Sequence, residues 1–410
     1  MFLGLFNRTL FFELVRVFLL GLAGMTGLFV FFGVVQTASQ NGLSFAQTVA
    51  ILPLVVPMSW PYTIPATTLF ASCVVYGRLS NDNEAVALKA AGVDLLTVLR
   101  PAVLLGLLTT ALTAVLLHTV VPKSLQMQQA EVLKDPEEVM YNLLKRTLVI
   151  RSEPYSLYVR DVQNRQLREV VVKRALAPEP DRDTGLIRVR YDFIARAPTA
   201  SLRVDLDRGK LAIDSRLWVV SNGTVYLENK DSPEIEMDLP DRFTGKADRV
   251  RPQAVTWDRL PAEMAAQAAR RDGKAAEWAA LRRAADDPAT DPATAAGLRF
   301  QDQLYGPLVK ELDRQYRNLS YEQQARPALA VGCLIFAVIG CPVGLWFNRS
   351  DYLSTFVVCF LPSMLLYYSL TIAGGNLARD GKLPLLLGVW AANAVLGGLA
   401  ALLAWRLIKR

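Results

Sequence analysis

Residues 17–77 read VFLLGLAGMTGLFVFFGVVQTASQNGLSFAQTVAILPLVVPMSWPYTIPATTLFASCVVYG, and this run, Val17 to Gly77, contains no Lys, Arg, Asp, Glu or His. A charge at the centre of a bilayer costs roughly 2.5–3.5 kcal/mol even on the lenient insertion scale, which is the simplest reason for a chain to exclude charge over such a length. The sequence therefore reads as an integral membrane protein. Working outward, 52% of the 410 residues are hydrophobic and the mean hydropathy is +0.24, yet 45 Lys+Arg and 38 Asp+Glu remain. Most of these lie between Lys123 and Arg326, so the order is membrane, water-soluble domain, membrane. The net charge of +7 fits basic residues flanking the spans, and no basic stripe with interleaved aromatics points to nucleic acid.

A span needs about twenty predominantly apolar residues. Six such stretches are expected: Val17–Val35, Pro57–Tyr76, Pro101–Val121, Pro327–Phe347, Tyr352–Leu377 and Leu383–Trp405. Pro53, Pro57, Pro61 and Pro65 share one helix face and each removes a backbone donor, so Leu43–Leu52 is expected to be interfacial, ahead of the second span. Pro101 suits the first turn of the third. With the N-terminus inside, the inner short segments hold Arg8, Arg16, Arg78, Lys89, Arg100, Arg349, Arg406, Lys409 and Arg410, against Arg379 and Lys382 outside. This excess places both termini in the cytoplasm and the polar domain on the far side. The first span lacks an A-x-A cleavage site and reads as uncleaved; residues 1–13 suit an amphipathic helix on the inner surface.

From Thr147 to Leu239 the period changes. Leu157/Val159, Val170/Val172, Ile187–Tyr191, Leu202–Leu206, Leu211/Ile213 and Leu217/Val219 alternate with polar residues, with turn signals at Asp207–Lys210 and Asn222-Gly223. Short strands at close spacing predict a β-sandwich or jellyroll. The expected fold is thus an α-helical membrane protein with six transmembrane helices, three plus three, around a β domain. Its segments are 1–122 (first three spans), 135–255 (β domain), 256–325 (helical insertion) and 326–410 (last three spans). Within the insertion, Ala262–Ala285 and Leu304–Gln324 read as helices separated by the linker Asp286–Pro292.

The loop between the second and third spans, YGRLSNDNEAVALKAAGVDLLTVLR (Tyr76–Arg100), reads as a short, stopped helix. Asn81 is the expected N-cap with Glu84 in capping-box position, Gly92 the left-handed stop, and Asp94 the next cap. The helix, 81–91, is either a plain connector or a stiff coupling element that carries a push from a cytosolic partner to two spans.

Chemistry in cis finds no support. Cys73, Cys333, Cys341 and Cys359 all fall in predicted spans with no CxxC pair, so neither a disulfide framework nor a thiolate metal site follows. The single His118 near the end of the third span is more often a packing residue than a proton relay. The stretch Gly375–Leu383 misses a phosphate-binding loop by one residue of spacing and lacks the Ser/Thr; no HExxH or GxSxG is present. Spans nearly free of ionisable groups disfavour an intramembrane enzyme, and one anchor would suffice for a scaffold with a sensing β domain.

Arg78, Leu79, Glu84, Ala87, Leu88, Ala90 and Gly92 form an R-L-x-x-x-x-E-x-x-A-L-x-A-x-G run that resembles the LptF/LptG permease signature. Arg8 and Glu13 before the first span, and Pro342, Tyr367-Tyr368, Gly381, Leu383-Pro384, Trp390 and Asn393 in the last three, are similar to the same family. The resemblance implies one half of the membrane part of an ABC exporter that extracts lipopolysaccharide, or a related envelope lipid, from the inner membrane. It implies a periplasmic β-jellyroll that hands the lipid to LptC/LptA-like jellyroll proteins, a second LptF/LptG-type permease half, and an LptB-like cytosolic ATPase dimer. No cofactor is implied in this chain; ATP and Mg belong to the partner ATPase. Arg78, Leu79, Glu84, Ala87, Leu88 and Gly92 become the implied ATPase-coupling interface. Spans one and five become the implied lateral gate, with Phe29, Phe32, Tyr367 and Tyr368 as its candidate lipid contacts. Two departures stand out. Where family members carry Lys or Arg in or just after span one, this chain has none, so either the cargo is less anionic or the partner half supplies the cations. The basic pattern before span four is reduced to Arg326.

Overall fold

The computed structural model describes residues 4–41, 45–132, 135–152, 154–163, 165–175, 179–180, 187–188, 191–205, 208–215, 217–220, 225–228, 235–239, 251–286, 292–346 and 352–409. Leu206, the turn residues Asp207 and Asn222-Gly223, most of Asp286–Pro292 and the side chain of Cys359 lie outside the described residues. The chain divides into two compact units: Met1–Val30, Val56–Leu125 and Arg251–Arg410 form one, Phe31–Val55 and Gln126–Val250 the other.

The first unit takes α3 (Glu84–Ala90), α4 (Leu95–Val115), α7 (Leu260–Asp286), α8 (Pro292–Trp346), α9 (Tyr352–Arg379) and α10 (Leu385–Lys409) whole, and parts of α1 (Leu5–Asn41), α2 (Phe45–Asn81) and α5 (Val121–Val132). Among the described residues four stretches are long and apolar enough to cross a membrane: Leu5–Gly33, Leu96–Gln128, Tyr305–Trp346 and Leu385–Leu407. The prolines, serines and threonines of α2 lower its hydropathy, although it carries no charge before Arg78. The helix α2 is continuous from Phe45 through all four prolines. Ser and Thr hydroxyls bond back to carbonyls along it, Ser59 donating to that of Val56 at 2.7 Å and Thr67 to that of Thr63 at 2.8 Å. Pro101 differs from its expected place. Asp94 accepts from the Leu96 amide at 3.2 Å and starts α4 earlier, which leaves Pro101 inside the helix. Between α4 and α5 the chain widens into a π-turn at Leu116–Val120, and the helix runs on to Val132 rather than ending near Val121.

The centre of this unit is α8, packed on α2, α4, α9 and α10. Backbones touch where glycine permits it. A Cβ on Gly340 would meet Ser72 Cβ at 2.5 Å, and one on Gly344 would meet the Cys73 carbonyl oxygen at 2.9 Å. Such small-residue crossings hold helices together where lipid removes the hydrophobic drive between them. Ser80 adds a 2.8 Å hydrogen bond to the Leu345 carbonyl, and Tyr76 one of 2.7 Å to that of Val98. Cys73, Cys333 and Cys341 are buried in this packing and form no disulfide among the described residues.

The second unit holds α6 (Pro136–Thr147) and an antiparallel sheet: β1 (Val149–Ser152), β2 (Tyr155–Tyr158), β3 (Asp161–Gln163), β4 (Gln166–Ala175), β7 (Tyr191–Asp205), β8 (Lys210–Asp214), β9 (Leu217–Val220), β10 (Val225–Glu228) and β11 (Ile235–Asp238). The order is β1-β2-β4-β7-β8-β11, with β3 on β4, and β9 joining β7 to β10; β5 (Glu179–Pro180) pairs β6 (Ile187–Arg188) separately. All described pairs are antiparallel. Val172 and Val170 face inward, then Leu167 does, a change of parity at Glu169. Glu169 has φ +48°, and Pro198 opposite offers no amide, so the β4–β7 ladder skips that pair. The inward side chains Leu157, Leu167, Val170, Val172, Leu211, Ile213 and Trp218 form one buried cluster with Val139, Met140 and Leu144 of α6.

The sequence reading contained no helix at α6. Asp135 caps it by accepting from the Glu138 amide at 3.0 Å, Pro136 sits in its first turn, and Lys145 and Arg146 close it. Tyr141 fixes it to the sheet: its hydroxyl accepts from the Leu202 amide at 2.6 Å, and burial pushes the phenol above its ordinary range.

Candidate functional site

The first place with functional geometry is the turn joining α2, α3 and α4. The expected helix 81–91 is shorter, Glu84–Ala90, because α2 itself continues through Asn81. Asn83, not Asn81, precedes the helix; it adopts φ +58°, its side chain makes no cap bond, and its carbonyl accepts from the Ala87 amide at 3.0 Å. Gly92 is left-handed at φ +77° and ends the helix. Ala85 and Leu88 rest on a cluster that includes Leu10, Leu14, Leu79, Val98 and Leu345, while Glu84, Val86, Ala87 and Ala90 are exposed. Leu79 is buried and Arg78 reaches Glu13 of α1 through contacts of 2.5 and 2.6 Å, with Asp82 at 3.9 Å. The N-terminal Arg/Glu region and the R-L-x-x-x-x-E run, separate in sequence, are thus tied by an ion pair.

The second place is a cavity of about 510 Å³ between α1, α2, the π-turn, α5, α8, α9 and α10. One side is apolar: Phe29, Met58, Leu117, Val121 and Leu125. Tyr62, Tyr321, Tyr367 and Tyr368 line it further, the Tyr368 hydroxyl donating to the Tyr62 carbonyl at 3.0 Å and the Tyr367 and Tyr368 rings meeting edge-on at 5.4 Å. Against this wall stand three charges. Glu322 Oε2 lies 3.7 Å from Arg326 Nε, and Glu322 Oε1 lies 3.9 Å from Arg379 Nη2. The Arg379 guanidinium sits over the Tyr321 ring at 3.9 Å. Arg326, 3% exposed, donates through Nη2 to the carbonyls of Val255 (2.8 Å), Pro252 (3.1 Å) and Gln253 (3.4 Å). Its Nη1 and the Nε of Arg379 are buried with no hydrogen-bond partner among the described residues. Nearby, His118 in the π-turn packs edge-on against Trp257 at 4.2 Å, as a packing residue does.

The chamber is therefore apolar over most of its wall and cationic at one end, the profile of a site for an amphiphile with an anionic head. The family profile described as lipopolysaccharide export system permease LptF/LptG matches residues 8–406, nearly the whole chain. The chain belongs to the LptF/LptG family. No curated protein matches it. As an LptF/LptG permease it is a transport component of the lipopolysaccharide export system and a multi-pass protein of the inner membrane, not itself an enzyme.

Of the residues singled out in the sequence of this LptF/LptG permease, Phe29, Tyr367 and Tyr368 meet at the cavity. Phe32 does not line it; it is 66% exposed and packs edge-on against Phe31. Arg78, Leu79, Glu84, Ala87, Leu88 and Gly92 all belong to the turn. Sequence reasoning missed Glu322, Tyr321 and Tyr62, and took Arg379 only as a loop charge. The Glu322/Arg326 spacing of four on one helix was a legible pair signal. Arg379 comes from another helix and carried none.

Proposed function

We propose that this chain is the permease subunit of an ABC-type complex that extracts lipopolysaccharide from the inner membrane, with α1, α2, α4–α5, α8, α9 and α10 as six spans in a three-plus-three layout. In this reading segments 1–122 and 326–410 are the membrane part, 256–325 is the helical insertion, and 135–255 is a periplasmic jellyroll that receives acyl chains and passes them to LptC/LptA-like jellyrolls. Both termini are cytoplasmic. A second LptF/LptG-type half completes the membrane part. The observation that carries the reading is the cavity: aromatic and aliphatic walls suit acyl or sugar surface, and the unpaired donors of Arg326 and Arg379 suit a headgroup phosphate. These two arginines supply cations that the first span lacks. A photo-crosslinking residue in place of Tyr368 should capture lipopolysaccharide in cells; absence of capture there, with capture at an exposed control such as Leu365, would sink the assignment of the cavity.

The exposed face of α3 is the coupling surface for an LptB-like ATPase dimer, where ATP and Mg reside. Its inner face is seated on the ends of α1, α2 and α4, so a push on Glu84 and Ala87 is delivered to spans, and the Arg78–Glu13 pair carries it to α1. Glu84→Lys should strip the ATPase from the purified permease while leaving its thermal unfolding unchanged. Full retention of the ATPase by that variant would remove the coupling role.

A further inference from the structure

We propose that Glu322 is a built-in counter-ion that occupies the place of a cargo phosphate, so that the site accepts a headgroup only by exchanging one anion for another. This rests on the reading of the cavity as a headgroup site and adds its specificity-determining residue. The geometry is that of a held place rather than a closed ion pair. Charge-assisted N–H···O⁻ bonds run at about 2.7–2.9 Å, whereas the two cross-charge distances are 3.7 and 3.9 Å. One carboxylate between two guanidiniums leaves Arg326 Nη1 and Arg379 Nε unsatisfied though buried. A phosphate monoester brings three acceptor oxygens and a charge of roughly −1.5 to −2, enough to meet donors on both arginines at once.

Charge decides what Glu322 must then do. Two guanidiniums and one carboxylate leave one net positive charge. A phosphate dianion added beside Glu322 would reverse that sign, while a phosphate that displaces the carboxylate brings it to neutrality. Displacement is open to Glu322, whose side chain is 11% exposed and faces the cavity from α8. Arg326 keeps its three carbonyl contacts throughout, so the exchange leaves the chain segment 252–255 fixed. A neutral headgroup cannot repay the loss of the carboxylate, and the return of Glu322 expels the phosphate when the lipid moves on. The site thus discriminates for phosphorylated lipid and still releases it.

The test uses the full chain, purified in neutral detergent with the partners that accompany it. Binding of bisphosphorylated lipid A is compared with binding of the same lipid after phosphatase treatment. Wild type should prefer the phosphorylated lipid, and Glu322→Gln should bind it about tenfold tighter, the effect of one charge-assisted contact, with binding of the dephosphorylated lipid unchanged. Transport by Glu322→Gln should slow, since release loses its competitor. Glu322→Asp, which keeps the charge but shortens the reach, should fall between the two and serves if the Gln variant misfolds. Equal or weaker phosphorylated-lipid binding by folded Glu322→Gln or Glu322→Asp overturns the counter-ion role. The headgroup site itself is tested apart: if Arg379→Gln leaves the wild-type preference for phosphorylated lipid intact, the cavity is not the phosphate site at all.

Discussion

The two units each enclose an apolar interior, and they treat it differently. Under the sheet the space is filled by the protein's own side chains: α6 lays Val139, Met140 and Leu144 against Leu157, Val170, Val172 and Trp218, and the Tyr141 hydroxyl engages the amide it meets. Among the helices about 510 Å³ stays open, lined in part by two arginines that each keep one buried, unpaired donor. A filled interior takes an acyl chain only where α6 gives way. An open one with unsatisfied cations is completed by something else, and it is held in that state by charges that are costly to leave alone.

The comparison can be broken most forcefully at Arg326. Removing one member of a buried charge group costs about 3–5 kcal/mol, and Arg326→Ala also frees three carbonyls of residues 252–255. Thermal unfolding of the purified protein should show a large loss; wild-type stability would mean that the cavity's charges are not structurally engaged. Next comes the filled interior. Leu157→Ala should cost about 2–5 kcal/mol while lipid capture at Tyr368 in the surviving folded fraction stays as in wild type. Loss of capture would mean that the two interiors are not independent.

A smaller effect tests how α6 is held over the sheet. Asp135→Ala removes a helix cap worth about 1 kcal/mol. The Glu138 amide, and then Arg165, hold the Asp135 carboxyl below its ordinary range. Its contribution is therefore present above the unfolded value of roughly 3.9 and disappears as pH falls through the lowered folded value. An acid unfolding curve should show wild type and Asp135→Ala converging at low pH. The smallest stability effect belongs to Glu13→Gln. The Arg78–Glu13 pair is partly exposed, and such pairs contribute about 0–1 kcal/mol. Its melting temperature should barely move, whereas ATPase activity stimulated by the permease should fall if the pair transmits motion to α1.

Much of this was readable from local signals, because the physics behind them is local. The charge-free run Val17–Gly77 needs no partner to be interpreted. Gly92 and Asp94 take the stop and cap roles their residue types suit. Asn81 fails as a cap because α2 is held helical to its end, with Ser80 bonded to Leu345 far away in sequence. Pro101 is internal because Asp94 captures the helix start first. The helix α6 was legible in Asp135-Pro136-Glu137-Glu138, but the strands that follow drew the period reading past it. The alternation that marks β4 breaks at Glu169, where a proline on the facing strand removes the amide, and nothing within β4 announces that. The charged end of the cavity was least legible: Glu322 and Arg326 are four apart, but Arg379 reaches them only through the packing of α8 against α9.

The unbroken run of α8 has a mechanical consequence. At 1.5 Å per residue its 55 residues extend roughly 80 Å, against a hydrocarbon layer of roughly 30 Å. The remainder is stiffened by α7 along its flank, with Gln267 bonded to Gln315 at 2.8 Å. With α7 packed along it past Pro307, a change of tilt in its lipid-embedded portion is carried outward to the stretch where Trp278 meets Gly306, so distance probes placed there should read the transport cycle at a larger amplitude than probes within the spans.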